Sequence, residues 1–309
     1  MPSLEDRYTG ALIGAACGDA LGATLEFESR AGIAQRYPDG FREMIGGGWL
    51  HLAPGETTDD TAMMLAIGRA CTAEGIDLDQ VAANFVAWMR TVPKDIGTQT
   101  RAALTRLANG QRWHEAGEAL HRESERGVAG NGSVMRCAPV ALRFRSDRAR
   151  MARAALDTSR ITHADPRATW GAVAICQAIA HLLDGGAVAG VLDAAASGIE
   201  DDDVVAAVVA AATLPYADVR SGGFVLDTVT AALWALVHEE SAENVIVRAA
   251  MMGEDTDTTA AVAGALAGAA YGIDAIPERW RAIIHGRDDL IALARQLLAW
   301  DVASSSISH

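Results

Sequence analysis

Apolar positions along the chain recur at helical spacing almost throughout, and the strict alternation of a half-buried strand is missing over any useful length. The run from Leu4 to Leu25, which contains "GALIGAACGDALGATL", is small and apolar nearly all round, the pattern of a central helix buried on every side. Amphipathic runs follow at Thr61 to Cys71, Leu78 to Arg90 and Thr100 to Ala108, separated by Gly and Pro. "HADPRATWGAVAICQAIAHLLDGG" predicts a helix with Asp165 as its cap, Pro166 in its first turn and Gly185–Gly186 as its stop. "DDDVVAAVVAAATL" opens on three aspartates, which suit a helix start through capping and the helix dipole. Further helices are expected from about Val225 to His238, Ala242 to Met251, Thr258 to Tyr271 and Asp288 to Val302. Long loops are expected near 26–60, 91–99, 124–133 and 215–223. No low-complexity linker and no repeat divides the chain. The expected fold is all-α, a single compact multi-helix domain over residues 1–303, with 304–309 ("SSSISH") as a disordered tail.

Composition sharpens this picture. Of 309 residues, 50% are hydrophobic but only 5% aromatic, so the core must be built from Ala, Leu, Val and Ile. Alanine favours helices and permits short distances between them. A net charge of -14 excludes a broad nucleic-acid footprint, which needs a basic face. The four cysteines, at 17, 71, 137 and 176, sit among apolar residues with no CxxC spacing, as buried reduced thiols do. The charged opening "MPSLEDRYTG" has no secretory apolar core. Uncharged runs such as "TTAAVAGALAGAAYGI" fall short of the ~18–20 residues of a membrane span. A cytoplasmic monomer without a transmembrane segment is expected.

Two acidic turns hold the candidate chemistry. "GETTDDTAMML" and "GEDTDTTAAV" each place two carboxylates and a threonine hydroxyl at a helix start after a glycine. Either alone would read as a helix cap. Together, Thr58, Asp59 and Asp60 with Asp255, Asp257 and Thr258 supply oxygen ligands only, the choice of Mg²⁺ or Mn²⁺ over zinc or copper. Four converging carboxylates would repel one another strongly, and a two-metal site removes that repulsion. "AGNGSVMRCAPVAL" is a glycine-rich turn entering a helix, where backbone N–H groups can approach phosphate oxygens.

These motifs resemble those of the ADP-ribosylglycohydrolase family: "GALIGAACGDALGATLEF", "TTDDTAMML", "GNGSVMRCAPVAL", "RITHADP" and "GEDTDTTAAVAGALAGAAYG" follow in order over nearly the whole chain. Through "GGGWL" and "VPKDIG" the likeness is greatest to the bacterial dinitrogenase reductase-activating branch. The resemblance implies an all-helical hydrolase that removes ADP-ribose from arginine on a target protein. It implies two divalent cations, Mg²⁺ or Mn²⁺, ligated by Thr58, Asp59, Asp60, Asp255, Asp257 and Thr258. Glu26, Asp59 and Asp95 are then the catalytic carboxylates, with Asp95 also suited to pair with a guanidinium. Gly130, Asn131, Gly132, Ser133, Met135 and His163 would hold the ADP-ribose. Where relatives carry a tyrosine before the "VLDT" helix this chain has Phe224, which would keep stacking and lose a hydroxyl. The implied partners are an ADP-ribosylated protein, nitrogenase iron protein in that branch, and a nitrogen-signalling regulator. The competing readings are a hydrolase of serine-linked, polymeric or O-acetyl ADP-ribose, and a non-catalytic ADP-ribose-binding or structural protein of the same fold.

Overall fold

The computed structural model describes residues 1–124 and 129–307. Its helices begin with α1 (Leu4–Gly22), α2 (Arg30–Arg36), α3 (Asp59–Gly68), α4 (Leu78–Met89), α5 (Thr98–Ala108) and α6 (Trp113–Glu123). Next come α7 (Ala138–Arg143), α8 (Arg148–Arg160), α9 (Pro166–Leu183), α10 (Val191–Ala196) and α11 (Asp202–Ala210). The chain closes with α12 (Val225–His238), α13 (Ala242–Ala250), α14 (Thr256–Tyr271), α15 (Glu278–Arg281) and α16 (Arg287–Ile307). Among the described residues there is no strand. Three isolated bridges pair Gly47 with Leu52, Cys71 with Ile76 and Gly130 with Phe224.

Helix α1 lies at the centre, buried from Arg7 to Gly22. A capping box starts it: the Asp6 N–H donates to Ser3 Oγ, and the Ser3 N–H donates to the Asp6 carboxylate. Its main partner is α14, and the contact is made of missing side chains. Gly10 faces Gly268, Gly14 faces Gly264, Gly18 faces Ala260 and Gly22 faces Thr256, an antiparallel register in which each step along α1 is matched by one back along α14. A methyl group on any of these four α1 glycines would fall inside 3.0 Å of the backbone opposite. The two helices therefore touch backbone to backbone. This brings the C-terminal end of α1, which leads to Glu26, beside the N-terminal end of α14, which carries Asp255 and Asp257.

Buried polar groups are paired as this packing demands. Arg7 donates to the carbonyls of Leu182, Ala269 and Ala270, so one guanidinium satisfies the ends of α9 and α14. All four cysteines are free and buried. Burial pushes the Cys17 and Cys71 thiols up to about 12. Among the described residues no helix is long and apolar enough to cross a membrane.

The long loop expected at 26–60 contains α2, a helix capped by Ser29 whose single buried apolar residue, Ile33, leaves no readable period. Six-residue α7 is buried on every side and so shows no polar face. At the other end α16 runs on to Ile307, past the tail expected from Ser304; the Ser304 hydroxyl donates to the Trp300 carbonyl one turn back. Residues 125–128 and 308–309, parts of an expected loop and tail, lie outside the described residues.

Candidate active site

The start of α3 explains why its two aspartates are free. Thr58 stands at the N-cap, yet its side chain makes no capping bond there. The cap comes instead from Asp19 on α1, whose carboxylate accepts from the Thr58 and Thr61 N–H groups at 3.0 and 3.1 Å. It also accepts from the Thr58 and Thr61 hydroxyls at 2.9 and 2.6 Å. With the orphan N–H groups served from outside, Asp59 and Asp60 are released for other work. The start of α14 is similar: Asp255 makes no side-chain cap, and its Oδ2 accepts from Asn131 Nδ2 at 2.9 Å.

The two acidic turns meet. Thr258 Oγ1 donates to Asp60 Oδ2 at 3.4 Å across 198 residues of sequence. Glu26, Asp95 and Asp257 each bring a carboxylate oxygen within 4.8 Å of the others. Among the described residues Asp60 Oδ1 is buried without a hydrogen-bond partner. Above this cluster opens a cavity of about 630 Å³. Its wall includes Glu26, Asp59, Asp95, Asp255, Asp257 and Thr258 on one side and Gly130, Asn131, Gly132, Met135 and His163 on another.

The ADP-ribosylglycohydrolase family model matches residues 1–305. The chain belongs to the ADP-ribosylglycohydrolase family. It is 36% identical to the ADP-ribosyl-[dinitrogen reductase] glycohydrolase of Rhodospirillum rubrum, over 95% of this chain and 98% of that one. It is 33% identical to the ADP-ribosylarginine hydrolase Tri1 of Pseudomonas putida (strain GB-1), over 94% of this chain and 78% of that one. A solved structure described as an ADP-ribosylglycohydrolase-related protein complex superposes with a TM-score of 0.84 at 32% identity, covering 97% of this chain and 100% of the other.

Not every residue singled out in the sequence reaches the cavity of this family member. Thr58 and Asp60 are not on its wall: Thr58 Oγ1 gives its proton to Asp19 and stands 3.3 Å from Asp60 Oδ2, and Thr58 lines a smaller cavity that also includes Asp59 and Asp95. Ser133 is buried, and its hydroxyl donates to the Ala168 carbonyl at 3.1 Å, which removes it from the lining. Phe224 also stands outside, 38% exposed, with its ring centre 5.4 Å from the Arg167 guanidinium carbon. Gly130 and Gly132 do line the wall, but what they leave room for is His163: a methyl on Gly132 would come within 2.7 Å of its Cε1.

Three contributors are hard to read from the sequence. Asp19 is the only charged residue between Arg7 and Glu26, and a lone acid in an apolar helix is the available signal. Trp49 donates from Nε1 to Glu26 Oε2 at 2.6 Å, while its ring packs on Phe27 with centres 5.3 Å apart. Gly48, at φ 64°, lets that loop fold against the Ala23 carbonyl, where a side chain would clash. Arg136, fully buried below the cavity, presses its guanidinium on Phe85 at 4.6 Å.

The donor set fits a hard divalent cation: oxygens only, one of them orphaned, on groups whose protonation reports crowding. Burial, then repulsion from neighbouring carboxylates, pushes Asp59, Asp60 and Asp257 well above the ordinary range. Burial raises Glu26 to about 8 despite the Trp49 bond, with Asp95 and Asp255 adding repulsion. Burial raises Asp19 only to about 6, because its threonine donors favour the anion.

Those shifts set how stability varies with pH. Without a cation the folded state binds more protons than the unfolded chain, whose carboxylates titrate near about 4. The associated stability is complete below that value and is lost as pH rises through about 6 and about 8. The melting temperature in chelator is therefore expected to fall by several degrees between about pH 5 and 8, and Mn²⁺ to restore it most at the alkaline end. Melting curves across that range test this; a rise in chelator would contradict it.

Asp19→Asn keeps the shape but lets an amide replace the four-fold acceptor. The expected cost is about 2–3 kcal/mol of stability, read by urea titration. Cation affinity should weaken about tenfold or more, because Thr58 loses the group that orients it.

Proposed function

We propose that this protein hydrolyses the N-glycosidic bond between ADP-ribose and an arginine side chain of a modified protein, using two divalent cations, Mg²⁺ or Mn²⁺. The observation that supports it most is the meeting of Asp60 with Thr258 beneath a cavity whose wall carries Glu26, Asp95 and Asp257. Thr58, Asp59, Asp60, Asp255, Asp257 and Thr258 would hold the cations. Bound there, they supply Lewis-acid polarisation and a lowered water pKa.

The chain's own residues do the rest. Gly130, Asn131, Gly132, Met135 and His163 bind the ADP-ribose so that the anomeric carbon faces the carboxylates. Asp95 pairs with the guanidinium through two parallel hydrogen bonds, which suits arginine over a serine linkage. The reaction adds the hydroxyl of water to the anomeric carbon and breaks its bond to nitrogen. The water's proton ends on the released guanidine. Glu26 and Asp95, with oxygens within 4.8 Å of one another, are placed to receive that proton and return it. The anionic wall stabilises the oxocarbenium-like transition state.

The relatives favour the arginine linkage, since the Pseudomonas putida protein is named an ADP-ribosylarginine hydrolase. ADP-ribose release from arginine-linked and serine-linked peptides, each in Mn²⁺, Mg²⁺ and chelator, tests the proposal. Release from the arginine peptide alone, abolished by chelator, is expected. Preference for the serine peptide, or binding of ADP-ribose with no turnover in either metal, would overturn it.

A further inference from the structure

The buried chain Arg136–Thr162–His163 specifies one protonation form of the cavity histidine. Arg136 Nη2 donates to Thr162 Oγ1 at 2.7 Å, and an arginine can only donate. Thr162 is fully buried, and its single hydroxyl proton has His163 Nδ1 at 2.6 Å to receive it. Nδ1 is then bare, and in a neutral imidazole the proton sits on Nε2. The ring cannot easily charge: burial, reinforced by the Arg136 guanidinium, lowers His163 to about 3. Its main chain is clamped as well, for the His163 N–H donates to the Ser159 carbonyl and its own carbonyl accepts from Ser159 Oγ.

The far edge of the ring faces the cavity between two glycines. A Cβ on Gly132 would lie 3.0 Å from Nε2, and one on Gly130 3.2 Å from it. Among the described residues Nε2 has no hydrogen-bond partner, although the ring lines the wall. Arg136 in turn makes no ion pair among the described residues; its other bonds go to the Thr158 carbonyl at 3.4 Å and Met63 Sδ at 3.5 Å. The bond to Thr162 is the shortest of the three.

We propose that Thr162 is a positioning residue. Held by Arg136, it fixes His163 as an uncharged imidazole that presents Nε2–H to an acceptor oxygen of ADP-ribose between Gly130 and Gly132. The inference rests on the reading that this cavity takes ADP-ribose. It also makes His163 a hydrogen-bond donor to the ligand and not a base.

The test is nitrogen NMR of the full chain carrying ¹⁵N-histidine, together with calorimetry using ADP-ribose. The wild-type His163 ring should show a protonated Nε2 and a bare Nδ1, unchanged over about pH 5–8. In Thr162→Val that single form should be lost, and ADP-ribose should bind about tenfold more weakly, the loss of one ordered hydrogen bond. KM should rise about as much while kcat stays within about twofold. Thr162→Ser should restore both readouts. A proton on Nδ1 in the wild type overturns the proposal and needs no variant, so a Thr162→Val chain that fails to fold leaves the question decidable. Unchanged ADP-ribose affinity in a folded Thr162→Val chain with an altered ring spectrum also overturns it. Failure of the wild type to bind ADP-ribose overturns the functional reading instead, and is told apart because the ring spectrum is recorded without ligand.

Discussion

Asp257→Ala is expected to end ADP-ribose release, with turnover falling on the order of 1000-fold or more. The carboxylate is buried, and its neighbours Asp255, Asp60 and Glu26 add to burial in holding it above its ordinary titration range. The same substitution should not weaken the fold in chelator. Removing one of several crowded buried acids relieves repulsion, so the variant should melt at or slightly above the parent temperature. In Mn²⁺ the order reverses: the parent gains stability from the cation and the variant does not. Release assays and paired melting curves measure both. Asp60→Ala should end release alike, but in chelator it should gain less stability, because the Asp60 Oδ2 that accepts from Thr258 Oγ1 is lost with it. Undiminished turnover in both variants would remove the basis for the metal assignment.

Gly18→Ala should be among the most damaging single methyls in the α1–α14 contact. The added carbon would meet the Ala260 carbonyl oxygen, carbon and following nitrogen, all backbone and all inside 3.0 Å. A flexible side chain could yield; a helix backbone cannot without pushing α1 and α14 apart. That movement would separate Glu26 from Asp257 as well as open the core. The expected cost is about 3 kcal/mol or more, toward the top of the range for overpacking. Urea titration measures it where soluble protein is obtained, and activity should fall further than the folded fraction does. A cost below about 1 kcal/mol would show that the two helices are not held backbone to backbone.

Much of this architecture is legible from the sequence because it depends on local pattern. Asp165 and Pro166 announce α9, the helix at Val225–His238 has the bounds its periodicity suggests, and the all-round apolar run at the N-terminus is the central helix. The candidate site is legible in its acids, since two carboxylates at one helix start exceed what a cap requires. What escapes depends on tertiary contacts. Asp19 reads as a flaw in an apolar helix until α3 is packed against it, when it becomes that helix's cap. Ser133 looks like part of a phosphate loop until its hydroxyl is found on the Ala168 carbonyl. Gly130 and Gly132 suggest room for a ligand, and the neighbour they accommodate is an imidazole of the protein itself.

The sequestered sulfur atoms have a practical use. Because all four native thiols are buried and two are held near about 12, alkylating reagents should modify this chain only when it opens globally. Mass spectrometry after timed alkylation would then serve as an internal clock for the opening rate, and a single cysteine engineered on the surface would accept a dye alone.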